Sequence, residues 1–239
     1  MSGRMASFWL RAGEKTLLLL ALLVPLAFCL HSYDAGALKS TLLQAGALCL
    51  MSTWVLKGLE RGRWELPASA MPMAAPAIVL TLWTIARFAG SASPMAGLQG
   101  FLRDLLYIGM FWVAMLEFGG AFFAARFKSW LLLAGWAAGL YGLLQNAGVD
   151  PFPWKGAFER QAFSTMGSPE TLGLFMAACF PLALSRLVDP ERDQWARGAD
   201  AALIALLTLS AALSASPVTI LAFTIAGMIS AFFLPLCLP

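Results

Sequence analysis

The sequence predicts an all-α fold, a polytopic transmembrane helical bundle of about eight spans. Three observations predict it. Of 239 residues, 60% are apolar and only 12% charged, against about 25% charged in an ordinary soluble domain. Mean hydropathy is +0.76. The charged positions punctuate apolar runs near the length that crosses a bilayer, about 20 residues for a hydrocarbon core of ~30 Å at ~1.5 Å per residue. A water-soluble globule is thereby excluded, and residues 1–239 read as a single transmembrane domain embedded in a lipid bilayer. The net charge of +3 is small and dispersed, which argues against nucleic acid as a partner.

The first span lies near 16–33, between Lys15 and Asp34. Its apolar run is long and no clear small-residue cleavage site follows before Asp34, so it reads as a retained anchor rather than a removable signal peptide. The second, 40–56, is bounded by Lys39 and Lys57. The third, 68–86, stops at Arg87, and the fourth, 105–124, follows Asp104. Lys128 precedes the fifth, 129–147, and Arg186 follows the sixth, 170–185. A charge-free stretch from Ala201 to Pro239 is too long for one crossing. Ser214-Ala215-Ser216-Pro217 divides it into spans near 199–214 and 217–236, with Pro217 suited to the first turn of a new helix. Pro25, Pro76 and Pro181 fall inside spans, where neighbouring helices can take up the freed carbonyls.

Counting Lys and Arg on alternate sides gives eleven against five, which places the N-terminus in the cytoplasm. With eight spans the C-terminus returns there. The extracytoplasmic loops are then 34–39, 87–104, 148–169 and the tight break at 214–217.

Few polar residues inside or beside the spans suggest chemistry. Cys29, Cys49, Cys179 and Cys237 lie in apolar runs without CxxC spacing, and the lone His31 completes no metal site, so no metal is expected. His31 sits near the outer end of the first span, where an interfacial role suits it better than general-base catalysis. Glu117 falls late in the fourth span. An intramembrane carboxylate is a functional candidate by default, and the competing reading places it at the cytoplasmic end, paired with Arg126 or Lys128. Arg87 and Arg103 flank a Gly/Ser/Pro-containing segment and either attract an anionic lipid-linked substrate or snorkel to lipid phosphates. Residues 189–200 mix both charge signs, as a solvated connector does.

The loop at 148–169 is the long polar one. Pro151 and Pro153 fix an extended turn, and Phe152, Trp154 and Phe163 suit the headgroup level. Its end has a helix-start signature, with Ser168 as N-cap, Pro169 at the first helical position and Glu170 in the first turn. The N–H groups and dipole of such a terminus favour an anion. Arg160, eight residues before Ser168, carries a guanidinium that grips phosphate oxygens in two places. Together they suit a pyrophosphate. Ser164 and Thr165 add hydroxyls, and Gly167 permits close backbone approach. The alternative pairs Arg160 with Glu159 or lipid headgroups and treats the aromatic residues as an interfacial belt.

Three motifs occur in order: Gly139-x-Tyr141-Gly142-x-x-Gln145, Asp150-Pro151-x-Pro153-Trp154, and Arg160-x-x-x-Ser164-Thr165-x-Gly167-Ser168-Pro169. Together they resemble the O-antigen ligase and O-antigen polymerase family of polytopic bacterial inner-membrane proteins. The family pattern reads Arg, a few residues, Ser-Thr-Phe-Gly-Asn-Pro-Asn, then an apolar helix containing Pro-Leu. Here Ser168-Pro169-Glu170 replaces Asn-Pro-Asn, and Pro181-Leu182 stands in the expected place. The correspondence covers roughly residues 130–190. It implies a metal-independent glycosyltransferase that takes a glycan from undecaprenyl pyrophosphate at the periplasmic face. The acceptor is lipid A-core, a second lipid-linked repeat or a protein hydroxyl. No cofactor is implied, because the pyrophosphate is already a good leaving group. Arg160 would stabilise that leaving group, with Lys155 sharing the charge and Ser164, Thr165 and Gly167 completing the substrate-binding set.

Family members have about twelve spans, a Ser-Arg pair after the next hairpin, and a later loop supplying a further Arg and a His. This chain has no Arg in Ser214-Ala215-Ser216-Pro217 and corresponds to the N-terminal part of that plan, so no catalytic base is identified. Two other readings stand beside the enzyme. One is a shortened, non-catalytic member that binds a polyprenyl-linked glycan or a membrane partner. The other is a small transporter, for which an internal repeat would be expected; no convincing repeat relates the two halves.

Overall fold

A computed structural model of the chain describes residues 2–29, 35–62, 71–91, 93–152 and 161–237. Among the described residues there are eight α-helices, one short 3₁₀ turn at Ser164–Met166, and no strand. The helices are α1 (Ser2–Leu26), α2 (Ala35–Arg61), α3 (Met71–Ala89), α4 (Pro94–Phe118), α5 (Ala121–Asn146), α6 (Pro169–Leu187), α7 (Gln194–Leu213) and α8 (Pro217–Cys237). The chain is thus all-α, as expected. Each expected apolar run carries a helix, but helix and run differ in extent because a helix continues where its hydrogen bonds do, whatever the polarity of its side chains. α1 begins at Ser2 and so takes in Arg4, Arg11, Glu14 and Lys15.

The number of spans needs correction. Among the described residues, four helical segments are long and apolar enough to cross a membrane: Gly36–Arg61, Ala121–Asn146, Pro169–Leu187 and Gln194–Leu213. Ala74–Ala89 of α3 and Pro217–Phe232 of α8 are further apolar segments. Four to six candidates therefore replace the eight expected. In α1 the four charged residues lie at or before Lys15, and in α4 Arg103, Asp104 and Glu117 interrupt the apolar run.

The helices form two compact units, one of 1–20 with 40–127 and one of 21–39 with 128–239. The first has a core of Leu17, Leu50, Val113 and Phe118, flanked by Leu10, Met51 and Trp54. Close approach is set by small residues: a Cβ at Gly109 would lie 2.9 Å from Met51 Sδ. Its charges are paired across helices. Glu117 bonds Lys57, both mostly buried, and Arg126 bonds Glu14. Glu117 therefore pairs with neither Arg126 nor Lys128, because Lys57 on α2 reaches it first. Lys128 donates to Ser185 Oγ instead.

The second unit packs α5, α6, α7 and α8 around Leu132, Ala138, Leu172, Met176, Leu203 and Leu207. α5 presents buried Ala134, Gly135, Ala138, Gly139 and Gly142, the small-residue face that lets membrane helices approach. A Cβ at Gly139 would lie 3.0 Å from Leu206 Cγ, and Ser210 Oγ on α7 donates to the Gly139 carbonyl at 3.2 Å. The α7–α8 break follows the expectation: Ser214 caps α7, Ala215 turns at φ 48°, and α8 starts at Pro217. The 189–200 segment is more than a solvated connector. Asp193 caps α7 through the Ala196 N–H at 2.6 Å, while buried Asp200 faces Arg186 at 3.2 Å and Arg192 at 3.4 Å.

Two outcomes follow from these contacts. E117Q leaves the Lys57 ammonium without its anion, costing about 3–5 kcal/mol, whereas a K57M/E117M pair restores most of the loss; melting temperatures in detergent compare them. On α6, a Cβ at Gly173 would collide with Thr219 of α8, whose own Cβ would be 2.6 Å away. G173A should therefore lower the melting temperature by an overpacking cost of about 1–3 kcal/mol, and T219A, which keeps that Cβ, should not rescue it.

Candidate functional site

The motif residues meet within the second unit, where α5 ends, the 161–168 segment turns and α6 begins. α5 closes at Asn146, and Gly148 (φ 76°) redirects the chain toward Asp150. The Asp150 carboxylate accepts from Tyr141 Oη at 2.8 Å, Gln145 Nε2 at 2.9 Å and the Phe152 N–H at 3.0 Å. Tyr141 and Gln145 lie one helical turn apart on α5, so one carboxylate reaches both. Gln145 then uses its other end: Oε1 accepts the Ser164 N–H at 2.7 Å. Tyr141, Gln145, Asp150 and Ser164 thus form one connected network.

The segment after position 160 is buried and irregular. Ala162, Phe163, Ser164 and Thr165 are each less than a tenth exposed. Ala162 N–H donates to the Leu213 carbonyl at 3.2 Å, and Ser164 Oγ donates to the Ala138 carbonyl at 2.6 Å. Ser164 has φ 51°, a left-handed conformation that costs a non-glycine residue on the order of 1 kcal/mol. Its two tethers to α5 hold it there. Gly167, at φ 84°, makes the last turn before Ser168, a position only glycine adopts freely.

Thr165 links this segment to the end of α1. Its Oγ1 donates to the Pro25 carbonyl at 2.8 Å, and Lys39 Nζ donates to the carbonyls of Val24, Pro25 and Ala27 at 2.8–2.9 Å. A helix C-terminus has carbonyls without intrahelical partners and a negative dipole end. One ammonium satisfies three of these carbonyls and complements the dipole. The sequence marked Lys39 only as an outer-loop cation; the signal for its role is its place shortly after a helix end at Leu26.

α6 starts as the sequence indicated. Ser168 is extended and its Oγ accepts the Thr171 N–H at 3.1 Å, with Pro169 next. Pro169 has no N–H and Thr171's is taken, so this terminus is capped in large part by its own side chain. Ser164, Thr165 and Gly167 accordingly serve the fold of the loop: both hydroxyl hydrogens go to backbone carbonyls. Phe163 is buried rather than interfacial, and Phe152 packs on Phe28 and Tyr141, with ring centroids 5.2 and 6.1 Å apart. Arg160, Lys155, Trp154 and His31 lie outside the described residues. Cys179 is buried and Cys49 exposed, and among the described residues no three His, Cys, Asp or Glu side chains gather as a metal site.

Q145A removes the acceptor of a buried N–H, a loss of about 1–3 kcal/mol. Hydrogen exchange should then report the Ser164 amide exchanging roughly tenfold faster or more, while amides in α2 to α4 stay unchanged. An unaltered Ser164 rate would mean that Gln145 does not hold the segment.

No family model, curated protein or solved structure matches the chain.

Proposed function

We propose that the chain is an O-antigen ligase-like membrane glycosyltransferase, acting on a glycan carried by undecaprenyl pyrophosphate at the periplasmic face of a bacterial inner membrane, with its N-terminus in the cytoplasm. One observation carries the reading. The residues on which the family resemblance rests, Tyr141, Gln145, Asp150 and Ser164, are joined by hydrogen bonds although they come from a helix, a turn and a buried loop. The segment they anchor directly follows Arg160 in sequence.

In the transfer, a hydroxyl oxygen of the acceptor forms a bond to the anomeric carbon of the glycan. The bond from that carbon to the pyrophosphate oxygen breaks, and the pyrophosphate leaves with the electron pair. The hydroxyl proton passes to solvent or to a base. Negative charge grows on the leaving oxygen, so a guanidinium fixed beside it lowers the barrier. Arg160 takes this role with Lys155 as a second cation. Ser164, Thr165 and Gly167 hold the loop that follows Arg160, and the burial of Ser164 and Thr165 keeps that support independent of substrate. The acceptor is lipid A-core, a second lipid-linked repeat or a protein hydroxyl.

The test is glycan transfer by protein reconstituted in vesicles with a polyprenyl-pyrophosphate-linked glycan and each acceptor class in turn. R160A should lose about 100-fold or more in rate, by analogy with removal of one oxyanion-stabilising donor, with unchanged protein level in the membrane. R160K, which keeps charge without the planar fork, should recover part of it. Undiminished transfer by R160A, or no transfer by the wild type with any acceptor, overturns the reading.

A further inference from the structure

In the first unit, α3 and α4 are joined by a short turn and pack side by side, with Phe88 and Phe101 stacked at 4.3 Å. Between them lies a groove of about 510 Å³ whose lining changes along its length. Leu80, Ile108 and Phe111 line one part, and Tyr107, Arg87 and Asp104 line the other. A second cavity of about 310 Å³ shares Arg87 and continues toward Ser91.

Arg87 and Asp104 line the polar end, and Arg103, beside the lining, reaches the same carboxylate. Arg87 Nη2 lies 3.1 Å from Asp104 Oδ2, and Arg103 Nε lies 3.6 Å from Asp104 Oδ1. Two guanidiniums share one carboxylate, so the trio keeps one net positive charge. Both are accessible, with side chains 63% and 50% exposed. The apolar end begins at Pro76, eleven residues before Arg87, or roughly 16 Å at ~1.5 Å per residue. That is close to half of a ~30 Å hydrocarbon core. Leu80 and Trp83, which line the groove, are 54% and 64% exposed, so the groove is open at its apolar side.

We propose that this groove is a binding site for one anionic phospholipid, with an acyl chain along Leu80, Ile108 and Phe111 and the headgroup phosphate at the exposed Arg87 guanidinium, while Arg103 offsets the charge of Asp104. The charge left over at Asp104 selects the anionic headgroup. The length, one leaflet deep, fits an acyl chain, whereas a polyprenyl chain of many isoprene units would overrun it. The proposal concerns a different unit from the motif network and stands whether or not glycan transfer is the activity.

Native mass spectrometry of the purified full chain in detergent, with phosphatidylglycerol or phosphatidylcholine of matched chain length added, tests it. The wild type should retain phosphatidylglycerol in preference to phosphatidylcholine. R87Q should weaken phosphatidylglycerol binding about fivefold, the equivalent of ~1 kcal/mol for one basic residue at a membrane surface, and leave phosphatidylcholine unchanged. R87K should keep the preference, and L80W, which fills the apolar end, should weaken both lipids. Equal retention of the two lipids by the wild type, no change in R87Q, loss of preference in R87K, or no effect of L80W overturns the site. Tighter retention of a polyprenyl monophosphate than of phosphatidylglycerol does so too.

Discussion

A non-helical stretch buried among helices must find partners for its backbone polar groups within the protein, because water does not reach them. Residues 161–168 meet that constraint, and the second unit is arranged around it. Ala162 N–H goes to Leu213 at the end of α7, Ser164 N–H to Gln145 on α5, and the side chains of Ser164 and Thr165 to carbonyls of Ala138 and Pro25. α1, α5 and α7 are tied to one loop by these bonds. None of the tethers is strong alone, at roughly 1 kcal/mol net each. Their shared consequence is a loop with one conformation, including a left-handed serine that would otherwise relax.

Packing makes those bonds possible. α5 carries Ala134, Gly135, Ala138, Gly139 and Gly142 on its buried side, and larger residues there would separate it from α6 and α7. With Gly142 only 3.5 Å from Leu172 and 3.8 Å from Ser164, as measured from a built Cβ, the Ala138 carbonyl comes within reach of Ser164 Oγ. Small residues in this helix therefore act twice. They raise dispersion contact between helices, where lipid supplies no hydrophobic drive, and they expose backbone carbonyls as acceptors to the neighbouring chain.

The helices were legible because charge interrupts apolar runs at intervals a bilayer sets, and because Ser168-Pro169 and Ser216-Pro217 carry local start signals. Spans were less legible. Arg11, Glu14 and Lys15 read as the edge of a span, yet the helix runs through them, since backbone bonding is indifferent to side-chain charge once ion pairs such as Glu14 with Arg126 form across helices. Of the site, the α6 cap could be read from adjacent residues. The Gln145–Ser164 and Lys39–Pro25 contacts join positions 19 and 14 residues apart, and nothing local in the sequence announces such a pairing. Ser164 and Thr165 looked like free hydroxyls for the same reason: the carbonyls that take their protons come from Ala138 and Pro25, distant in sequence.

The two sides of the 153–160 stretch are each fixed before any ligand arrives. On one side Asp150 accepts the Phe152 N–H while Phe152 packs on Phe28 and Tyr141; on the other Ala162 is bonded to Leu213 and Ser164 to α5. Fixing a side chain beside a ligand costs less when the residues flanking it in sequence are already held. A cation that must meet a developing pyrophosphate charge gains most from such a frame, because stabilisation by a fixed charge needs no reorganisation as the bond breaks. If the network served stability alone, its disruption by Q145A would lower melting temperature and leave the ratio of transfer rates with Arg at position 160 to those with R160K unchanged. A frame for Arg160 predicts instead that Q145A narrows that ratio, since a guanidinium that is no longer held loses its advantage over an ammonium.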